Sequence, residues 1–460
     1  MSIVVVTGGT LIDGNGGTPV PDAVVVMENG RFSAVGRRGE VTVPEGAQTV
    51  DATGKWIVPG FCNGNVHLLD GIMMMGFGGA EYLARFEGRL HEVIEESAQV
   101  ALRAGVTTVF DTWDAMVPIL RARDRIASGE VEGARIFAAG NIVGMGGPFS
   151  ADFMMAARQV ISPRFADRMD ALFEAGVGHE LSVMRPVEVR ARIRDYIARG
   201  VDMVKVAVSD HLVTLTEPNR GYLTFSERVL DVITEETRAA GLPLLTHTMS
   251  LEALHLAAAR LEADVLIHPT LTAQQLIPAE TIEAILEKGC ASEIQTVTSG
   301  FQAYLEKSGN PFMFYGGFAH WENELRLIKE GAPIILGADA GCTDPDVLGS
   351  LPPEELEERP WTLGQDHFLW TQAVVEKGMT PMAAIQAATS NVAKSYGKFD
   401  TLGSIENGKL ADLVLLDADP LADIRNLRRQ RAVIKDGAIV DTAALPRNPL
   451  VLASPRPTDG

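Results

Sequence analysis

The sequence predicts an α/β fold: a (β/α)8 TIM-like barrel with a small β-sandwich domain formed by both chain termini. Two observations lead to this prediction. In the middle of the chain, short apolar runs that end in polar residues alternate eight times with helical stretches, which is typical of a closed parallel barrel. The two ends of the chain instead carry short β-like runs broken by tight turns. We therefore assign residues 1–58 and 400–460 to the sandwich and residues 59–399 to the barrel.

The two ends of the chain share the same sequence pattern of short β-like runs separated by turns. In the N-terminal part, Glu28-Asn29-Gly30-Arg31 separates two β-like runs and is typical of a type I′ hairpin turn. In the C-terminal part, residues 413–416 and 432–435 are strand-like, and Asp436-Gly437 turns the chain into a further short run. Because both ends are rich in short strands, we expect them to pair into one small domain outside the barrel.

Eight apolar runs are the predicted barrel strands. They span residues 56–67, 105–112, 134–141, 201–209, 243–248, 265–270, 291–296 and 333–341. In barrels of this kind the functional residues lie at the C-terminal ends of the strands. A long insertion rich in Gly, Met and Phe, residues 143–185, follows the third strand. Its length and position predict a lid or an oligomer contact.

The composition excludes several classes of protein. With 46% hydrophobic and 22% charged residues, the chain is typical of a globular protein with a large core. A formal net charge of −20 disfavours nucleic acid and anionic membranes as partners. No apolar run approaches the roughly 18 residues of a membrane span, and residues 1–9 lack the features of a signal peptide. We expect a cytoplasmic protein with no membrane and no nucleic-acid partner.

Polar side chains able to bind a metal lie at the ends of five predicted strands. They are His67, Lys205, His247, His268 and Asp339. Since the C-terminal ends of parallel barrel strands meet at one face, we expect these side chains to share a metal site. Imidazole and carboxylate ligands suit Zn, Fe, Co or Mn, and zinc is the ion that we expect first.

Lys205 is predicted to point into the barrel, because strand alternation places the valines of residues 201–209 on the opposite face. A lysine in a barrel core is costly unless it is paired or modified. Two interpretations remain open. Carbamylation by CO₂ would convert Lys205 into an anionic oxygen ligand, and an ion pair with a carboxylate such as Asp339 would keep it as a cation.

Asn65-Val66-His67 looks like a two-histidine metal motif in which the first histidine is missing. Residues two apart in a strand point to the same side, so Asn65 and His67 are expected to converge on one point. An amide oxygen is a poorer ligand than imidazole for zinc-like ions. The site is therefore expected to be weakened on one side.

These motifs together resemble the amidohydrolase superfamily. The resemblance rests on Pro59-Gly60-Phe61 before the x-His pair, His247 and His268, Gly337-Ala338-Asp339-Ala340-Gly341, and the tail segments at residues 387–393 and 402–414. It covers nearly the whole chain and implies a metal-bearing barrel. Most of the superfamily begins its site with His-x-His. The Asn-x-His variant is similar to the phenylurea hydrolases and the related molinate hydrolase, for which a mononuclear site is implied.

The resemblance implies a metal-dependent hydrolase of a C–N bond in a neutral amide or urea, and first a phenylurea hydrolase that releases an aniline. The alternatives within the same chemistry are a thiocarbamate (molinate-type) hydrolase and an Xaa-Pro dipeptidase-like or imidazolonepropionase-like amidohydrolase. An alternative of another class is a catalytically inactive relative kept as a binding or scaffold protein. Asn65 supports that alternative, whereas the five remaining candidate ligands oppose it.

The residue types predict separate catalytic roles for the side chains of the site. A bound metal ion lowers the pKa of its water and polarises a carbonyl group. Asp339 is the candidate general base, which takes a proton from the water and hands it to the departing amine. Either His247 or His268 could instead stabilise the tetrahedral oxyanion, and the sequence does not choose between them.

The substrate is expected to be small, neutral, and apolar or aromatic. Met73 and Met74 follow the first barrel strand, Phe149 and Phe153 lie in the insertion, and such side chains at a barrel mouth suit an apolar ligand. His211, just past the fourth strand, either reaches the mouth or lies on the surface. The apolar residues could instead pack a subunit interface, and we expect a homo-oligomer.

Overall fold

The computed structural model describes residues 3–69, 77–153, 155–209, 223–272, 274–308, 317–341, 348–349 and 351–453. The strands within these residues are β1 (Val4–Leu11), β2 (Val20–Glu28), β3 (Arg31–Arg37), β4 (Gln48–Asp51), β5 (Trp56–Pro59), β6 (Phe61–Val66), β7 (Val106–Asp111), β8 (Arg135–Ala138), β9 (Ile142–Val143), β10 (Val204–Ala207), β11 (Leu244–His247), β12 (Val265–Ile267), β13 (Ala291–Ile294), β14 (Ile334–Leu336), β15 (Leu413–Leu416), β16 (Gln430–Lys435) and β17 (Ala438–Ile439).

Helices alternate with the strands in the middle of the chain. They are α1 (Phe77–Arg85), α2 (Leu90–Arg103), α3 (Met116–Ala127), α4 (Met155–Arg158), α5 (Pro163–Glu174), α6 (Pro186–Ile197), α7 (Glu227–Ala239), α8 (Leu251–Ala259), α9 (Ala279–Lys288), α10 (Ser299–Ser308), α11 (Phe318–Glu330), α12 (Pro353–Glu358), α13 (Asp366–Glu376), α14 (Pro381–Ala387) and α15 (Ser390–Ser395). Short 3₁₀ turns lie at His179–Val183, Ile424–Arg428 and Thr442–Ala444. No helix in the described ranges is both long enough and apolar enough to cross a membrane.

Eight parallel strands form the barrel. β6, β7 and β8 pair in that order, and β9 to β14 pair in sequence order. β8 and β9 are two halves of one barrel strand, because β8 pairs with β7 and β9 pairs with β10. The barrel closes between the segment after β14 and β6, where Val66 bridges Ala340. Each predicted run contains an observed strand, and the predicted fold class is confirmed.

The first predicted strand, residues 56–67, is in fact two strands in different sheets. β5 pairs with β15 of the terminal sheet, whereas β6 pairs with β7 of the barrel. Gly60 lies at the break, where a Cβ atom would come within 2.3 Å of the Thr107 hydroxyl oxygen. Glycine lets the chain pass this close to β7 as it leaves one sheet for the other. A single hydrophobic run therefore concealed a change of sheet.

Both ends of the chain contribute to one eight-stranded sheet, in the order β17-β16-β15-β5-β1-β2-β3 with β4 also paired to β1. The predicted hairpin joins β2 and β3, and positive φ angles at Asn29 (53°) and Gly30 (76°) agree with a type I′ turn. Arg135 of the barrel ties the two parts together, since its guanidinium group pairs with Asp412 at 2.7 Å and with Asp436 at 2.5 Å. The division into two domains at residues 58 and 400 stays a prediction.

The insertion after the third barrel strand folds around two carboxylates. Asp152 accepts a hydrogen bond from the Gly146 N–H at 2.7 Å and pairs with His179 at 2.8 Å. Asp170 accepts the Phe149 N–H at 2.7 Å and pairs with Arg158 at 2.7 Å. Hydrogen bonds to ionised carboxylates are strong, so these contacts hold the loop-rich insertion in one conformation. A segment that covers a binding site requires such a fixed conformation.

Glu96 of α2 anchors the C-terminal segment. Its buried carboxylate accepts the N–H groups of Leu450, Val451 and Leu452 at 2.6, 2.9 and 3.0 Å. We expect Glu96→Gln to lower the free energy of unfolding by about 1–3 kcal/mol, since one accepting oxygen and the charge are lost. Amide hydrogen exchange at residues 450–452 should also become faster. Glu92→Gln, at a half-buried position on the same helix with no hydrogen bond to residues 450–452 in the described part of the chain, is the control. Unchanged exchange in Glu96→Gln would contradict this anchor.

Candidate metal centre

The five candidate ligands all lie at the C-terminal end of the barrel. Lys205 is in β10 and His247 ends β11, while His67, His268 and Asp339 follow the ends of β6, β12 and β14. Four of them are buried, with only 1–7% of their surface exposed: Lys205, His247, His268 and His67. A parallel barrel brings strand ends together, so the positions predicted from five separate segments occupy one face of the fold.

His67 and Asp339 form one half of the site. The His67 Nε2 atom lies 2.7 Å from Asp339 Oδ1. Asp339 adopts a left-handed backbone conformation with φ of 54°, and its N–H donates to the Asn65 carbonyl oxygen at 3.0 Å. A left-handed aspartate is uncommon and carries a local backbone cost. The barrel closure described above holds this residue in place, and the carboxylate consequently faces His67.

His247 and His268 form the other half. Their ring centroids are 4.4 Å apart and the rings are nearly perpendicular, at 85°. His268 also has a left-handed backbone, with φ of 40°. Its N–H donates to Glu293 Oε2 at 2.8 Å, and its Nδ1 atom lies 3.2 Å from the Thr248 carbonyl oxygen. The turn after β12 therefore directs this imidazole towards its neighbour on β11.

A chain of hydrogen bonds joins Lys205 to the first half. Lys205 Nζ donates to the Thr112 hydroxyl at 3.0 Å, and that hydroxyl donates to Asn65 Oδ1 at 2.5 Å. The Asn65 Nδ2 group then donates to Asp339 Oδ1 at 3.1 Å. The Asn65 side-chain amide uses both of its polar atoms, because its oxygen accepts from Thr112 and its nitrogen donates to Asp339. Asn65 thus orients the carboxylate that His67 contacts.

The charges in this region depend on burial. Burial lowers the pKa of His67, although the nearby Asp339 carboxylate opposes this effect. Burial alone would raise the pKa of Asp339, but the charge and hydrogen bond of His67, with Lys205 and His268, hold it well below its ordinary value. Burial also lowers the pKa of Lys205, against the charges of Asp339, Glu293 and Asp111.

These side chains have the chemistry that a divalent ion requires. Metal ligands must be deprotonated, and the lowered pKa values of His67 and Asp339 both favour the deprotonated form. Within the described residues, no three His, Cys, Asp or Glu side chains already form a metal-binding group. The donor set of His67, His247, His268 and Asp339 nevertheless fits a zinc-like ion in the types of atom that it offers.

Two residues of this site were absent from the sequence-based prediction: Glu293 and Thr112. Glu293, in β13, is fully buried; its Oε2 atom accepts the His268 N–H, and the charge of Asp339 acts on its carboxyl group, so it is coupled to both halves of the site. Burial, reinforced by the Asp339 charge, raises the pKa of Glu293 to about 8. The alternation that identified Lys205 would also have placed Glu293 inward. Thr112 directly follows β7, but a hydroxyl at a strand end carries no distinctive signal.

The predicted substrate contacts divide into three groups. Phe153 stacks on Trp113, with ring centroids 4.2 Å apart, and Trp113 meets the His67 ring edge-on at 5.7 Å. The insertion therefore reaches the site through Phe153. Phe149 is fully buried and packs against Phe165 within the insertion. Met73, Met74 and His211 lie outside the described residues.

Comparison with known proteins agrees with this geometry. The model of the amidohydrolase family matches residues 56–440. The chain superimposes on a solved structure of molinate hydrolase with a TM-score of 0.97 and 58% identity, covering 100% of this chain and 99% of that one. It superimposes on phenylurea hydrolase B with a TM-score of 0.96 and 55% identity, covering 99% and 100%. An imidazolonepropionase of Pseudomonas putida (strain GB-1) is 27% identical over 414 residues, 88% of this chain and 90% of the relative.

The family match spans the barrel and four of the eight strands of the terminal sheet, and the two solved structures cover essentially the full length of the chain. The strand-end residues on which the resemblance rests lie together at one end of the barrel. This chain belongs to the amidohydrolase family.

Proposed function

We propose that this protein is a metal-dependent hydrolase of the C–N bond in a small neutral urea, with an N-aryl urea as the first substrate class. The observation that carries the proposal is the full-length identity of 58% and 55% with molinate hydrolase and phenylurea hydrolase B. The aromatic pair of Phe153 and Trp113 beside His67 favours a substrate with an aryl group. The identity with molinate hydrolase equally favours a thiocarbamate as the second candidate.

His67, His247, His268 and Asp339 would hold one divalent ion, with zinc placed first. Lys205 would be a further ligand if it is carbamylated, and its buried position with a lowered pKa supports the uncharged amine that CO₂ requires. When bound, the ion lowers the pKa of water and polarises the substrate carbonyl.

The protein groups supply the proton transfers. Asp339, ionised at neutral pH, accepts a proton from the attacking water and delivers it to the leaving amine. Asn65 and His67 keep that carboxylate in one orientation, since both contact Oδ1. His247 or His268 stabilises the oxyanion that forms on the former carbonyl oxygen. Trp113 and Phe153 cover the His67 side and exclude water from it.

Metal analysis and a substrate panel together test this function. Protein purified without added metal is expected to contain one divalent ion per chain and to hydrolyse an N-aryl urea, a thiocarbamate, or both. An Xaa-Pro dipeptide and imidazolonepropionate complete the panel as the alternatives within the family. Protein that holds no metal and cleaves none of these compounds would instead support the inactive binding or scaffold alternative.

Asn65→His is expected to raise the metal content above that of the unaltered protein. An imidazole at this position supplies the ligand that the Asn-x-His motif lacks, next to His67 and Asp339. Metal per chain is measured by mass spectrometry, with circular dichroism to verify folding because position 65 is fully buried. Asn65→Ala is the matched control, since it removes the amide without adding a ligand. An unchanged metal content in Asn65→His would mean that the second position is closed for another reason.

The insertion also supports a homo-oligomer. Met155, Val160 and Val183 are 53%, 72% and 87% exposed, which is unusual for apolar side chains grouped in one segment. We infer that this surface contacts a second copy of the chain. Sedimentation analysis that finds only monomers at micromolar concentration would exclude such a contact.

A further inference from the structure

Gln295 is a buried amide with unused hydrogen-bonding capacity. Its side chain is 3% exposed, and within the described residues neither Nε2 nor Oε1 has a hydrogen-bond partner. Buried polar groups in folded proteins are almost always paired, because an unpaired one costs about 1–3 kcal/mol. Such a group at the mouth of a barrel requires a reason other than folding stability.

A shared cavity places Gln295 near Asp339 in the fold. Gln295 directly follows the last residue of β13 and lies two residues past Glu293, about 6–7 Å further along the chain. Strand alternation, continued by one residue, assigns it to the same side as Glu293. Gln295 and Ala338 line the same cavity, and Ala338 directly precedes Asp339. Trp361 and Trp370 form the apolar wall of this cavity.

The cavity is too small for a substrate ring. Its volume is about 10 Å³, which is sufficient for one polar group or for one water molecule. Two buried hydroxyls at the ends of neighbouring strands, Thr248 and Thr270, likewise have no hydrogen-bond partner within the described residues. His320 connects these threonines to Gln295. Its Nε2 atom lies 3.3 Å from the backbone carbonyl oxygen of Gln295, and its ring also bonds the Thr270 backbone. Gln295, Thr248 and Thr270 thus lie at the ends of three neighbouring barrel strands, β13, β11 and β12.

We propose that Gln295 is a substrate-recognition residue whose Oε1 atom accepts the N–H group of the substrate. This inference rests on the proposed function and makes it more specific, because it favours substrates that carry an N–H next to the scissile carbonyl. N-Aryl ureas have such a group. Fully N-substituted thiocarbamates do not, and they leave the Gln295 oxygen unpaired. A site with a buried group of this kind discriminates strongly against a ligand that cannot pair with it.

A cycle of two enzymes and two substrates tests the proposal. The enzymes are the unaltered protein and Gln295→Met, which keeps the side-chain length and loses both hydrogen-bonding atoms. The substrates are an N-aryl urea and the same urea methylated at that nitrogen. In the unaltered protein we expect methylation to lower kcat/KM at least tenfold, mainly through KM. In Gln295→Met the N–H urea should lose a similar factor, whereas the methylated urea should change less than threefold.

Controls separate this role from a structural one. Gln372→Met makes the same substitution on α13, where the amide is exposed and bonded to Glu376, and should leave both substrates unaffected. Gln295→Ala replaces Gln295→Met if the latter does not fold. Equal losses for both ureas, or a lowered melting temperature with unchanged kinetics, would mean that Gln295 holds only a buried water. If the unaltered protein hydrolyses neither ureas nor thiocarbamates, the proposed function fails together with this inference. Hydrolysis of the thiocarbamate alone, or hydrolysis of the ureas without coupling to Gln295, overturns the inference and leaves the hydrolase function standing.

Discussion

Asp339→Asn is expected to lower kcat by about 10²–10⁴-fold while the fold stays intact. The amide has nearly the same shape and can still contact His67 and Asn65, but it cannot take a proton from water. The pKa of the native carboxyl group lies well below its ordinary value, so the base is fully ionised across the neutral range and the loss should be nearly independent of pH. Steady-state kinetics and circular dichroism together measure the two parts of this expectation.

Metal content decides how the loss arises, because Asp339 is a candidate ligand as well as a candidate base. If excess zinc restores metal occupancy and not turnover, the missing function is proton transfer. Asp231→Asn is the matched control, since that carboxylate pairs with Arg260 on the outside of the barrel. Substantial turnover by metal-loaded Asp339→Asn would refute the assignment of the base.

Gly337→Ala is expected to have the largest effect on stability. An added Cβ atom would lie 2.2 Å from Glu293 Cγ and 2.4 Å from Glu293 Oε1, and neither residue can move into solvent. Overpacking of this kind costs about 1–3 kcal/mol. The displaced Glu293 would also lose its hydrogen bond from the His268 N–H. We therefore expect a lower melting temperature and a lower kcat in the same variant.

A second substitution tests the cause. In Gly337→Ala combined with Glu293→Ala, the space left by the glutamate accommodates the new methyl group, so the double variant should be more stable than the sum of the single effects predicts. Gly17→Ala is the control, because no atom lies within 4 Å of a Cβ at that glycine. Additive losses would mean that the strain at Gly337 does not come from Glu293.

The predictable part of the site consists of residues with distinctive chemistry at strand ends. His67, His247, His268 and Asp339 each follow an apolar run, and parallel barrel geometry alone places such positions at one face. Strand alternation is a local property, so the sequence alone predicts that Lys205 points into the barrel. The structure agrees, because Lys205 is only 1% exposed. The roles of these residues as metal ligands remain predictions that metal analysis will test.

The sequence by itself determined the barrel, the pairing of the two chain ends into one sheet and the residues with metal-binding chemistry. These follow from periodicity and from residue type, which are local. Only the tertiary structure decided how Asn65 is used, because its partners Thr112 and Asp339 come from strands distant in the chain. It also decided the places of Glu293 and Gln295, whose importance depends on burial and on which neighbours they lack. Hydrogen bonds between distant strands leave no pattern in a single sequence, so the structure was needed to find them.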